Sequence, residues 1–365
     1  MEAQKISPQQ FFVLVLMYTL GDTIILAPSM LSSFTGTNAW IVTLIGICIG
    51  ILLILLYSKL SNAYPKKTYV EMLKSILGKW MGNILSILFL FTIFIMTMAN
   101  LRGVGDFFTT QVLPETPIPA ILILTTLTAL YLLRNGIENI ARTCEIFFPW
   151  TAFLLIMLLL LVIPEVRIEN LNPTFVKGLG PIIGTTYAYM GYSFNELIVF
   201  LMIIPFVNQH SAVKKNFLLG LVIGGITLSI ITAFCLTVLG DDFTGRNLYP
   251  TYILGKKISI GEFLERIEVF VGISWVFTIF FKITINLFAL AIGTTQVLGI
   301  SDYKTVLFPL GYFSVVCSII FFPNIVYYNH FGVSVWSHHS AIVFIFMPIM
   351  LLSILTVKDK IKKHH

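Results

Sequence analysis

The chain has 365 residues, 57% of them hydrophobic and only 11% charged, with a mean hydropathy of +0.92. Soluble domains carry about 25% charged residues, so a water-soluble enzyme or binding module is excluded and a polytopic membrane protein is indicated. The net charge of +6 is accounted for by the loop asymmetry below and calls for no nucleic-acid partner.

A spanning helix needs about 20 mostly apolar residues. Ten such segments are expected, over 10–33, 37–63, 81–105, 117–134, 143–163, 179–206, 216–240, 266–298, 303–323 and 336–357. Together they make one transmembrane domain over 1–357, followed by a basic tail over 358–365 that acts as a solvated anchor. The first run is too long for a signal peptide, and no small-x-small cleavage site follows it. Cys48, Cys144, Cys235 and Cys317 are scattered through or beside apolar runs, a spacing that suggests neither a metal site nor a disulfide framework.

Lys and Arg in short loops set orientation. With the N-terminus cytoplasmic, the inner loops hold Lys5, Lys59, Lys66, Lys67, Lys74, Lys79, Arg134, Arg142, Lys214, Lys215, Lys304, Lys358, Lys360, Lys362 and Lys363. The outer loops hold Arg102, Arg167, Lys177, Arg246, Lys256, Lys257 and Arg266, and Lys282 is left within a span. Both termini are therefore expected on the cytoplasmic side. Two external loops, 164–178 and 241–265, are polar enough to face a partner, and the second is expected to contain a short helix lying on the membrane surface.

The first span is interrupted at Leu20-Gly21-Asp22-Thr23 and the sixth at Tyr189-Met190-Gly191-Tyr192-Ser193. Interruptions at corresponding places of two five-helix halves, about 10–163 and 179–357, point to an inverted repeat with a binding site at the midplane. Where a helix unwinds, its freed backbone groups need a polar cavity or protein to satisfy them. The outer half-helix then presents its positive dipole end to that cavity, which suits an anionic group such as a carboxylate.

Asp22 has three open roles: N-cap of the outer half-helix, accepting from the N–H of Ile24 or Ile25; contact to a ligand ammonium or a cation; or partner of Lys282. Ser193-Phe194-Asn195-Glu196 reads as a capping box restarting the sixth helix, with a ligand or proton role for Glu196 as the alternative. Ser274, Thr278, Lys282 and Asn286 recur every four residues and form one polar stripe. A mid-membrane lysine is a functional candidate by default; Lys282 either pairs with Asp22 or Glu196 or contacts a ligand carboxylate. Thr97 and Asn100 share a face of the third span, where packing by small polar residues is the alternative role. Of Tyr187, Tyr189 and Tyr192, the first and last are favoured as ligand contacts. Gly220-x-x-x-Gly224 with Gly225 is a close-approach motif, read as packing within the bundle. His338 and His339 are placed at an interface opening the last span. No nucleophile–base pair, metal cluster or phosphate loop is visible, so neither catalysis nor a cofactor is expected.

"GDTIILAP" (21–28), "YAYMGYSFNEL" (187–197), "NLNPTFVKGLGP" (170–181), "FLERIEVFVGISW" (263–275) and "IFFPWTAFLLIM" (146–157) resemble the amino acid–polyamine–organocation transporter superfamily. More specifically, the chain resembles the B subunit of the spore germinant receptor family over nearly its whole length. The resemblance implies an all-α, LeuT-like 5+5 fold in the inner membrane of bacterial spores. It further implies partnership with an A subunit and a lipoprotein C subunit, and recognition of a small-molecule germinant, commonly an amino acid, between the first, third, sixth and eighth helices. The ligand-binding set is then Gly21, Asp22, Thr23, Ile24, Thr97, Asn100, Tyr187, Gly191, Tyr192, Lys282 and Asn286, with Ser193 and Glu196 capping or coupling. One departure stands out. Related permeases usually place a Gly-x-Gly type sequence at the first break, whereas Asp22 here adds a carboxylate that would repel an anionic ligand group. A sensor, a proton- or sodium-coupled amino acid or amine transporter, and a receptor-assembly subunit without a ligand are the functions to distinguish, and the resemblance favours the sensor.

Overall fold

The computed structural model describes residues 5–173, 175, 178–257 and 266–363. Lys177, 263–265 of the "FLERIEVFVGISW" stretch and the last two histidines lie outside the described residues.

The chain opens with α1 (Pro8–Leu20), whose start is fixed by a capping box: Ser7 Oγ accepts from Gln10 N–H, and Gln10 Oε1 accepts from Ser7 N–H. It breaks at Gly21 and resumes as α2 (Thr23–Thr35). After a turn at Gly36 come α3 (Ala39–Ala63), the short α4 (Tyr69–Leu77) and the long α5 (Lys79–Phe107). Next are α6 (Ile118–Arg134) and α7 (Ile137–Val162). The second half begins with α8 (Gly180–Ser193), which tightens into a 3₁₀ stretch over Asn195–Met202. It continues through α9 (His210–Leu239), α10 (Asp241–Arg246), α11 (Pro250–Lys256), α12 (Glu268–Leu298) and α13 (Lys304–Phe321). The last run strings together α14 (Ile325–Phe331), α15 (Ser337–Ala341) and α16 (Met347–Lys363), joined by two widened, π-type turns.

Seven helical stretches among the described residues are long and apolar enough to cross a membrane. The first span is instead built from two pieces meeting at Gly21, and α6 has 17 residues. The last run starts at Ile325, eleven residues before the expected 336, because its two widened turns carry the helix through His338 and His339. Those histidines are therefore not at a helix start. His339 Nε2 bonds Thr92 Oγ1 at 2.9 Å, and the His338 ring packs on Tyr187.

Burial does not track hydropathy. In α12, 83% of the most apolar window is buried inside the protein, against 22% for α7. Thus α12 is a central helix, and its polar stripe is hidden from lipid, while α7 presents Trp150, Phe153 and Ile156 outward. Arg102, expected in an outer loop, instead sits inside α5. It is buried and paired with Asp106 one turn on at 2.8 Å, and it donates to the Phe322 carbonyl at 2.6 Å. A guanidinium at that depth is tolerable only because both a carboxylate and a helix-end carbonyl receive it. The loop after α9 holds two short helices: α10 exposes Asp242, Phe243 and Arg246, whereas α11 is packed inside, with Thr251, Tyr252 and Leu254 buried and Thr251 Oγ1 donating to the Ile24 carbonyl at 2.8 Å.

The glycine motif of α9 packs inside the bundle. A Cβ on Gly220 would stand 2.6 Å from Val15 Cγ1, and one on Gly224 would stand 2.9 Å from Thr19 Cβ, so both glycines let α9 press against α1. Gly220→Ala should therefore cost about 1–3 kcal/mol by overpacking, read as a lower melting temperature with no change in the molecular mass measured by light scattering. A shift in mass at unchanged melting temperature would place the motif at a dimer face instead.

Candidate functional site

The site is built at the α1–α2 break. Gly21 adopts φ 20° and ψ −124°, and a Cβ there would lie 2.5 Å from Lys282 Cδ and 2.8 Å from the Tyr18 carbonyl oxygen. Only glycine lets the chain turn so close to α12. The carbonyl freed at Gly21 is taken up by Thr278 Oγ1 at 3.2 Å, so one member of the polar stripe repairs the backbone that the break exposes.

Asp22 stands at the N-cap position of α2, but its side chain makes no capping bond. Its carboxylate points to Lys282, whose Nζ donates to Asp22 Oδ1 at 2.5 Å. Glu196 Oε2 approaches the same nitrogen at 2.6 Å. Tyr192 adds its carbonyl oxygen at 3.4 Å, and the Tyr18 ring lies 5.1 Å from Nζ. Lys282 is wholly buried, with Asp22 at 5% and Glu196 at 3% exposure. The capping-box reading of Ser193 and Glu196 is thus corrected. Glu196 Oε2 forms an ion pair with Lys282 and its Oε1 accepts from Trp336 Nε1 at 3.1 Å, while Ser193 Oγ donates to Thr23 Oγ1 at 3.4 Å. A local cap is worth about 1 kcal/mol, far less than leaving a buried lysine short of counter-charge.

The second interruption falls later than expected. Helix α8 runs through Gly191 and Tyr192 to Ser193 before tightening. Gly191 serves close packing, since a Cβ there would meet Ser337 Cα at 3.1 Å, and its carbonyl accepts from Trp336 Nε1 at 3.0 Å. The polar stripe of α12 faces the break as expected: Asn286 Oδ1 accepts from the Tyr18 hydroxyl at 2.8 Å. Thr97 is buried but bonds the Ile93 carbonyl of its own helix, so it keeps the packing role. Tyr187 is 40% exposed and packs on His338, away from the ion cluster.

A cavity of about 400 Å³ leads toward this cluster along α2. Thr23, Leu26, Ala27, Tyr192, Asn329 and Ser334 are among its lining residues. It stops at Tyr192, whose hydroxyl lies against Gly332 so closely that a Cβ there would overlap it. Beyond Tyr192 remain two small cavities of about 10 and 20 Å³, both walled by Asp22, Asn100 and Tyr328. On the side of the N-terminus the cluster is closed by aromatic rings: Phe200 packs edge-on against both Phe11 and Tyr18, at 5.6 and 5.2 Å. The structure is thus open along α2 down to Tyr192 and shut below it. Trp336, Tyr18, Trp275, Tyr328 and Gly332 were not foreseen from sequence. A buried tryptophan or tyrosine needs a partner for its polar atom, and that need is the one signal that Trp336 and Tyr18 carry.

A sequence profile described as "Spore germination protein" matches residues 5–326. Spore germination protein KB of Bacillus subtilis (strain 168) is 29% identical over 327 residues, covering 89% of this chain and 87% of the relative. Spore germination protein YndE of the same organism is 26% identical over 300 residues, covering 80% and 81%. Among solved structures, Mhp1, a nucleobase-cation-symport-1 family transporter, superposes with a TM-score of 0.70 at 13% identity, over 94% of this chain and 78% of that one. MhsT in complex with L-phenylalanine superposes with 0.68 at 12% identity, over 98% and 99%. The architecture is accordingly the LeuT-like one. With a broken first helix, a buried lysine facing it and a profile match over most of its length, the chain belongs to the spore germination protein family.

Proposed function

We propose that this protein is the nutrient-sensing membrane subunit of a spore germination receptor. It binds a small molecule bearing an ammonium group, an amino acid being the best fit, between α1–α2, α5, α8 and α12. The change is passed to A- and C-type partner subunits in the inner membrane of the spore, with both termini on the core side. The observation that carries the reading is the ion cluster: two buried carboxylates, Asp22 and Glu196, share one ammonium, Lys282. With both ionised, the cluster is one positive charge short in a low-dielectric setting, which a ligand ammonium supplies. The cavity along α2 gives it an approach, and a structural neighbour was solved with L-phenylalanine bound.

Binding acts on such a protein only through different affinities for two states. Here the natural difference lies in whether Tyr192 rests against Gly332 or moves aside. The test is thermal stabilisation of the purified protein across amino acids, amines, sugars and inorganic ions, in wild type and Asp22→Asn. A ligand at ~100 times its Kd adds about 2.7 kcal/mol of stability. An amino acid should raise the wild-type melting temperature, and Asp22→Asn should weaken its affinity about tenfold or more. Equal shifts in both proteins would remove Asp22 from the ligand. The same fold serves transport, so the hit compound is also assayed for uptake into proteoliposomes: saturable binding without flux marks the sensor, and flux marks a transporter.

A further inference from the structure

Two buried N–H donors beside the ion cluster have nothing to bond. Asn100, on α5, is 2% exposed and Trp275, on α12, is 1% exposed. Neither Asn100 Nδ2 nor Trp275 Nε1 has a hydrogen-bond partner among the described residues. Both residues line the same cavity of about 10 Å³, and Asp22 is a third wall of it. Asn100 also lines the adjoining cavity of about 20 Å³, together with Asp22 and Glu196. An indole N–H can only donate, and an unmade buried donor is costly enough that its persistence asks for a reason. Asp22, a carboxylate on the same cavity, already receives Lys282 at Oδ1.

We propose that this cavity is the acceptor pole of the ligand site: Asn100 Nδ2 and Trp275 Nε1 receive the carboxylate of a ligand whose ammonium is held by Asp22 and Glu196. The inference rests on the function proposed above and specifies its ligand as a compact zwitterion. It also answers the question posed by the first break. The N-terminus of a half-helix is a ready place for an anion, but in α2 that position carries Asp22. There Asp22 takes the ligand ammonium, and the carboxylate is taken by neutral donors from two other helices. Cavities of about 10 and 20 Å³ have room for little more than a water molecule each. Tyr328 borders both, so the pole widens as that side chain withdraws.

The experiment compares each L-amino acid with its decarboxylated primary amine, by thermal shift on the purified full chain, in wild type, Asn100→Leu/Trp275→Phe and Asn100→Asp. In wild type the carboxylate should tighten binding about ten- to hundredfold, the worth of a charge-assisted hydrogen-bond pair. In the double variant the amino acid and its amine should bind within about twofold of each other. Asn100→Asp, equal in size, should reverse the order so that the amine binds tighter. Phe at 275 keeps the ring packing on Phe107 at 4.5 Å, and the Asn100→Asp reversal is read on its own if the double variant does not fold. Amino acid and amine binding alike in wild type, or the carboxylate advantage surviving undiminished in either variant, overturns the acceptor pole while leaving the proposed function standing. A wild type silent to every amino acid and amine overturns both.

Discussion

Lys282→Met should lower the melting temperature of the purified protein sharply, at a cost of about 3–5 kcal/mol. The substitution keeps most of the apolar stem but removes the ammonium from between Asp22 and Glu196, at 2.5 and 2.6 Å. Two carboxylates are then left buried without a counter-charge, and that penalty, rather than the lost attraction, dominates the effect. The charge-free combination Lys282→Met/Asp22→Asn/Glu196→Gln should recover most of the stability, because replacing every member of a buried ion cluster is often nearly neutral. If the triple variant melts as low as the single one, the lysine acts through packing on Tyr18 and not through charge. The loss should also be insensitive to salt between 0.05 and 0.5 M, values about where exposed pairs lose their attraction and buried ones do not.

The second large effect is expected from Gly21→Ala, at about 2–6 kcal/mol. A methyl group there meets Lys282 Cδ at 2.5 Å and a backbone oxygen of Tyr18 at 2.8 Å. The lysine stem can shift; the carbonyl cannot do so without reshaping α1. Overpacking of about 1–3 kcal/mol adds to backbone strain of about the same size. Gly184→Ala is the matched control. It is helical, with nothing within 4 Å of its Cβ position, and should be neutral or stabilising by up to about 1 kcal/mol. The melting temperatures of the two variants decide the matter: similar values would mean that the break does not depend on glycine.

The first break was legible because it needs two local signals in one place, a glycine and a carboxylate inside an apolar run. Lys282 was legible for a related reason: a mid-membrane cation must have partners, and the four-residue recurrence of Ser274, Thr278 and Asn286 named the face on which they lie. What sequence could not decide was which partner. Local capping rules assigned Ser193 and Glu196 to each other, while the fold brings Glu196 to a lysine 86 residues away along the chain (282 minus 196). The tyrosine pair failed for a geometric reason. Tyr187 and Tyr192 stand five residues apart, about 140° around a helix, so one facing the cluster leaves the other near lipid, as the 40% exposure of Tyr187 records. Gly191 misled because a glycine kept for close contact with Ser337 looks the same in sequence as one kept for unwinding. Trp336 was hidden by the widened turns of the last run, which spoil the helical period that would have placed it.

The 3₁₀ stretch after α8 has a mechanical consequence. Its eight residues, Asn195–Met202, are all buried, and 3₁₀ runs longer than three or four residues are uncommon. At about 2.0 Å per residue they span about 16 Å; wound as an α-helix the same residues would span about 12 Å. The segment is therefore about 4 Å longer than the same residues would be as an α-helix. Glu196 is anchored at its upper end to Lys282 and Trp336, and Ile6 and Val207 pair just past its lower end. The 3₁₀ winding thereby sets the spacing between the ion cluster and the face that carries the N-terminus.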